Sequence, residues 1–173
     1  ESHTGVSLMG LVAEMDAGPI YAQEKVHISP KISKQALADK LSEIGSRMII
    51  ESLPKILDGT IEPTLQNENE ASEDERIAKA DGEIDWFKTA ERLEREVRAY
   101  HGWPRSRTSI GNTKVIITAA HIIEGIGEPG NLLIQDKQLG VYTDDGVLMI
   151  DSLIPAGKKE MSAKAFLAGY TPS

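Results

Sequence analysis

One carboxylate in this sequence stands where chemistry could be done. Asp16 follows an apolar run, Thr4–Val12, and precedes Ala17-Gly18-Pro19, a Gly-Pro step that ends regular structure. A carboxylate on a loop directly after an apolar strand occupies the place where α/β sheets form their ligand crevice, a position suited to general acid–base work. The same residue also fits a plain turn in which the side chain bonds its own backbone, and spacing alone leaves both open. Two groups of cations could meet phosphates. Arg92, Arg95 and Arg98 share one helical pattern, with Arg105 and Arg107 just beyond Trp103, and Lys158, Lys159 and Lys164 form a second group. Such contacts give salt-sensitive, weakly sequence-specific affinity. Glu91, Glu94 and Glu96 interleave the arginines, as on a solvated helix face, so Arg98, Arg105, Lys158 and Lys159 are the candidates that remain.

Other motifs fail on mechanism. Gly125-Ile126-Gly127-Glu128-Pro129-Gly130 has the G-x-G-x-x-G spacing, but a phosphate site needs backbone N–H groups at a helix start. Pro129 removes a donor, Glu128 repels phosphate, and a strand pattern follows, so the segment reads as a loop. Gly5-Val6-Ser7-Leu8-Met9-Gly10 is one residue too long for a nucleophile elbow. His3, His27, His101 and His121 lie far apart with no i, i+4 pair, and there are zero cysteines, so no metal site is expected.

The chain that must position these groups has 173 residues, enough for one domain or two small ones. Its 40% hydrophobic and 27% charged residues describe a globular protein, and no apolar run approaches the roughly 20 residues of a bilayer span. No membrane partner and a cytoplasmic location are therefore expected. Glu1-Ser2-His3-Thr4 resembles no signal peptide and does not start with Met, so a processed or partial chain is expected. The net charge of −8 is uneven: residues 59–75 carry 6 acidic and no basic side chains, whereas residues 76–173 carry 13 of each. The acidity thus sits in a stretch that reads as solvated linker.

Thr4–Val12 predicts a buried strand, and Ile20–Ile28 a second with Tyr21, Val26 and Ile28 inward. Ser33 predicts the cap of a helix whose Leu37, Leu41, Ile44 and Met48 step by 4, 3 and 4, with Leu53, Ile56 and Leu57 continuing the face. Pro54 predicts a kink or break near Glu51. These elements form part of an α/β unit, too few to bury both faces of a parallel sheet. A second helix begins near Thr89, places Leu93, Val97 and Tyr100 on one face, and stops at Gly102-Trp103-Pro104. Beyond it, short strands are predicted over Arg107–Ile110, Thr113–Thr118, Asn131–Gln135, Leu139–Thr143 and Val147–Asp151. Gly111-Asn112 makes a two-residue hairpin turn, and Ser162 caps a last helix. This spacing suggests a small antiparallel barrel.

Thr4-Gly5-Val6-Ser7-Leu8-Met9 followed by Asp16-Ala17-Gly18-Pro19-Ile20 resembles the end of the folate-dependent formyltransferase core. Asp81-Gly82-Glu83-Ile84-Asp85-Trp86, Val97-Arg98-Ala99-Tyr100 leading to Trp103-Pro104, and Pro155-Ala156-Gly157-Lys158-Lys159-Glu160-Met161 resemble the C-terminal domain of the methionyl-tRNA formyltransferase family. These blocks stand in family order along essentially the whole chain.

The resemblance implies residues 1–59 as the C-terminal part of a Rossmann-like formyltransferase core, 60–80 as an acidic linker, and 81–173 as an OB-like tRNA-binding domain. It implies transfer of a formyl group from 10-formyltetrahydrofolate to the α-amino group of methionine on initiator tRNA. The amine attacks the formyl carbon, a tetrahedral oxyanion forms, and the amine must lose a proton. In the family an Asn and a His polarise the formyl oxygen and an Asp orients the His and assists proton transfer. Asp16 matches that Asp, and the backbone at Met15 and Asp16 matches a wall of the pterin pocket. The Asn-x-His segment is not in this sequence, so the chain alone is expected to be inactive without the N-terminal half of the same protein. Arg98, Arg105, Lys158 and Lys159 are the implied tRNA contacts. The alternatives are a related formyltransferase acting on an amino-sugar nucleotide and a non-enzymatic RNA-binding OB-like module.

Overall fold

The computed structural model describes residues 2–72 and 74–169; Glu1 and Glu73, counted in the charge pattern above, lie outside them. The chain divides into two compact units, Glu1–Glu75 and Arg76–Ser173.

In the first unit β1 (His3–Met9) and β2 (Ile20–His27) pair antiparallel, from His3 opposite His27 to Met9 opposite Ile20, with an irregularity after Leu8. The expected buried strand Thr4–Val12 is shorter and half exposed, because only one face of this ribbon is covered. The covering element is α1 (Lys34–Leu57), whose Ile44 and Met48 pack with Leu41 on Val6, Leu8, Ala22 and Val26. Ala22, not Tyr21, joins Val26 on that face, since alternation along a strand puts residues an even number apart on the same side. The α1 cap is Ser33, whose Oγ accepts the Ala36 N–H at 3.2 Å. The break expected near Glu51 does not occur: the helix runs unbroken to Leu57. Pro54 lies in the last turn, where its missing N–H removes one bond with little helix left to disrupt. Leu53 and Leu57, expected on the packed face, are exposed at 47% and 79%. The packed face ends at Ser52, one position off that register.

The second unit is α2 (Ala90–Ala99) and α3 (Ala163–Gly169) against strands β3 (Ser106–Ile110), β4 (Thr113–Ile123), β5 (Leu132–Gln135), β6 (Gln138–Tyr142), β7 (Val147–Pro155) and β8 (Met161–Ser162). The sheet order is β3-β4-β7-β6-β5, with β8 beside β7, and every strand pairing in it is antiparallel. β4 and β7 outrun their expected lengths because they pair with each other past β3, through register shifts between Ile117 and Ala120. The Thr89 hydroxyl caps α2 by accepting from Arg92 N at 3.2 Å, and Leu93 and Val97 enter the core. Ser162 receives the Ala165 N–H at 3.2 Å and starts α3, whose Phe166 is fully buried. Gly125–Gly130 lies in the connection from β4 to β5, with a strand after it.

Candidate functional site

The first candidate site is the loop joining β1 to β2. Its base is pinched shut: Gly10 N–H donates to the Pro19 carbonyl at 2.9 Å, and a Cβ on Gly18 would lie 1.7 Å from the Gly10 carbonyl oxygen. Only glycine permits that approach. Asp16 sits above it at φ 55°, in left-handed backbone that Asp tolerates better than most residues. Its exposed carboxylate makes no hydrogen bond among the described residues, so the plain-turn alternative is not what the loop does with it. The loop is instead held by its carbonyls. Gln66 Nε2 donates to Asp16 O and to Gly18 O, each at 2.7 Å, using both hydrogens of one amide. Thr64 positions Gln66 by exchanging two backbone hydrogen bonds with Ile20, both at 2.8 Å. Met15 and Leu11 project into solvent at 84% and 95% exposure. Nothing in the sequence singled out Gln66; the one available signal is the uncharged run Pro63–Asn67 inside an acidic stretch.

The second unit sorts the candidate cations. On α2 the arginines are spent on neighbouring carboxylates. Arg98 grips Glu94 with Nε at 2.7 Å and a second nitrogen at 3.0 Å, and Arg95 pairs with Glu91. Arg92 and Lys88 both reach the buried Glu96, at 2.8 and 2.9 Å, and the Glu96 hydrogen bond holds the Arg92 guanidinium above its usual pKa. Arg105 is exposed and donates to its own turn at Gly102 O, 3.2 Å. Lys158 and Lys159 stand exposed on the turn after β7 and enter no ion pair among the described residues. Beside the start of that turn is a groove of about 790 Å³, lined by Lys79, Lys114, Arg107, Glu83 and Ser109 with Pro155–Gly157. Arg107 is partly neutralised there by Glu83 at 3.1 Å and also bonds the Lys79 carbonyl. The block Asp81–Trp86 forms one side by docking on β3, with Ile84 N donating to Arg107 O at 2.9 Å. A Cβ on Gly82 would meet Arg105 O at 2.3 Å, which explains the glycine. Sequence reasoning also missed Glu160. Thr118 and Ser152 hydroxyls donate to it at 2.6 and 3.1 Å and hold its carboxyl below the usual range.

Among the described residues no three His, Asp or Glu side chains converge as metal ligands, and no helix is long and apolar enough to cross a membrane.

Residues 76–171 match the family model described as formyl transferase, C-terminal domain. A methionyl-tRNA formyltransferase of Streptococcus agalactiae is 34% identical over 170 residues, covering 98% of this chain and 55% of that protein. The chain therefore spans about half the length of the curated relatives it matches. Among solved structures, HypX from Aquifex aeolicus in complex with tetrahydrofolic acid superposes with a TM-score of 0.67 at 21% identity, over 96% of this chain and 30% of that one. An N-formyltransferase from Helicobacter canadensis, in complex with folinic acid and dTDP-3-aminofucose, superposes at 0.64 and 19% identity, over 87% and 56%. At such identities these likenesses concern the fold.

Proposed function

This chain belongs to the formyl transferase C-terminal domain family, and from that premise we propose that it is the C-terminal half of a methionyl-tRNA formyltransferase. The reaction is transfer of the formyl group of 10-formyltetrahydrofolate to the α-amino group of methionyl-initiator tRNA, in the cytoplasm. The observation that carries the proposal is the 34% identity to such an enzyme along 98% of the chain, which runs through the Asp16 loop as well as the second unit.

In this reading residues 1–59 end a Rossmann-like core, 60–80 lead out of it, and 81–173 form an OB-like domain. Asp16 orients the histidine supplied by the N-terminal half and assists loss of the amine proton, while the backbone at Met15 and Asp16 walls the pterin. Exposed apolar side chains in the first unit support a missing covering half: Leu11, Met15, Ile50, Leu57 and Leu65 are each at least 75% exposed. The cation arrangement supports tRNA contact through Lys158 and Lys159, continued along the groove by Lys79 and Lys114. Arg105 contributes at its edge, and Arg98 contributes least because Glu94 already neutralises it.

The test is formyl transfer by the complete protein with methionyl-tRNA and, separately, an amino-sugar nucleotide. Activity on the tRNA, lowered about 10²- to 10⁴-fold by Asp16→Ala with folding intact, is expected. Activity on the sugar nucleotide alone would assign the chain to the related enzyme. No transfer to either acceptor would leave a binding module, and an unchanged rate for Asp16→Ala would remove Asp16 from the reaction.

A further inference from the structure

The Asp16 loop owes its position to a residue about fifty positions away in sequence. The loop leaves the ribbon at Gly10 and returns at Pro19, and among the described residues three hydrogen bonds hold its backbone. One is the Gly10–Pro19 bond at its base, and the other two come from the single side chain of Gln66. Both of those land on the reactive segment itself, at the carbonyls of Asp16 and Gly18. Gln66 has in turn little freedom to drift, since Thr64, two residues before it, is locked to Ile20 at the start of β2 by a reciprocal pair of backbone bonds. The result is a short brace: the strand start fixes Thr64, Thr64 fixes Gln66, and Gln66 fixes the carbonyl of the very residue whose carboxylate faces solvent.

We propose that Gln66 is a positioning residue for formyl transfer, which sets the height and orientation of the Asp16 carboxylate by clamping the Asp16 and Gly18 carbonyls. The inference rests on the assignment of Asp16 to the reaction made above. Asp16 is in left-handed backbone at φ 55°, a conformation uncommon for a residue with a side chain, and the bonds from Gln66 fall on its carbonyl. Without the two N–H donors the loop retains its pinched base but loses its hold at the tip, and a displacement of about 1 Å at a reacting group costs on the order of 10²-fold in rate. Gln66 touches neither donor nor acceptor in this scheme; it acts through Asp16.

The experiment uses the complete protein carrying Gln66→Ala, Gln66→Glu, Asp16→Ala and the double variant Gln66→Ala with Asp16→Ala. Gln66→Glu keeps the shape of the side chain and replaces the donating amide by a carboxylate that repels the two carbonyls, so a packing role would tolerate it and a clamp would not. Circular dichroism and the thermal midpoint establish folding for each variant. The expected result is a fall in kcat of about 10²-fold for both Gln66 variants, with KM for methionyl-tRNA within about threefold of wild type and no further loss when Gln66→Ala is added to Asp16→Ala. A Gln66→Glu enzyme at the wild-type rate overturns the inference while leaving Asp16 in place. So does a Gln66→Ala loss that multiplies in full on the Asp16→Ala background, which marks a general structural role. A wild-type rate for Asp16→Ala overturns the assignment of Asp16 and the clamp with it.

Discussion

Reversing the charge of Lys158 and Lys159 together should weaken tRNA binding and flatten its salt dependence by an amount the structure lets one estimate. Both ammonium groups are exposed and enter no ion pair among the described residues, so each is able to displace a counterion from a phosphate. Each phosphate contact contributes about 0.7–0.9 to the slope of log K against log salt, so losing two lowers the slope by about 1.4–1.8. Carried from 1 M to 0.1 M salt, that is a loss of about 25- to 60-fold in affinity, or roughly 2–2.5 kcal/mol. Repulsion from the new glutamates adds to it. The assay is filter binding or fluorescence anisotropy with the complete protein across 50–400 mM KCl. Arg98→Ala is the internal control: its guanidinium already faces Glu94 at 2.7 Å, so its removal should move the slope by less than about 0.3. Parallel lines for wild type and Lys158→Glu/Lys159→Glu would refute the reasoning. So would an Arg98→Ala line flattened as much as that of the lysine pair, since a neutralised cation would then be releasing counterions.

Gly18→Ala places a Cβ where the Gly10 carbonyl oxygen stands, and should destabilise the first unit by about 1–3 kcal/mol in a urea titration and lower kcat in the complete protein. Phe166→Ala empties a fully buried site and should cost the second unit about 3–5 kcal/mol, read from the same titration. Glu160 is held below the ordinary carboxylate range first by the Thr118 hydroxyl and then by Ser152, so its ionised form stabilises the fold above the unfolded pKa and that contribution fades as pH falls through the lower folded one. The melting-temperature gap between wild type and Glu160→Gln should therefore be full above about pH 5 and narrow below about pH 4, in scans from pH 3 to 7.

Elements with local determinants were legible. The caps at Ser33, Thr89 and Ser162 each follow from a hydroxyl accepting the backbone N–H three residues on, and the Gly111-Asn112 turn from the positive φ of 54° that Gly111 supplies between the paired strands. Features set by distant partners were not. β4 extends to Ile123 because β7 lies beside it, and no pattern within Thr113–Thr118 announces that. Arg98 of α2 stands beside Lys158 and Lys159 as a candidate on charge, although glutamates interleave its helix. The glutamates one turn away distinguish them, and i, i+4 spacing could have signalled the pairs in advance. Tyr21 and Val26 are an odd number of residues apart and cannot share a strand face, and Ala22 takes the inward place beside Val26.

The acidic stretch does more than its charge count describes. Six carboxylates in residues 59–75 describe a solvated segment, and its charged residues are indeed poor candidates for packing. Yet Thr64 and Gln66 sit in its uncharged middle and make the contacts that fix the Asp16 loop. The neutral centre lies against the start of β2 through Thr64 and brings an uncharged side chain to the Asp16 loop. A carboxylate at position 66 would bring negative charge against two carbonyl oxygens, one of them that of Asp16. An amide is the side chain of that length which donates twice and carries no charge. The composition of the segment and the clamp are therefore one design: the acidity that marks the stretch as linker also leaves its neutral residues as the part able to dock.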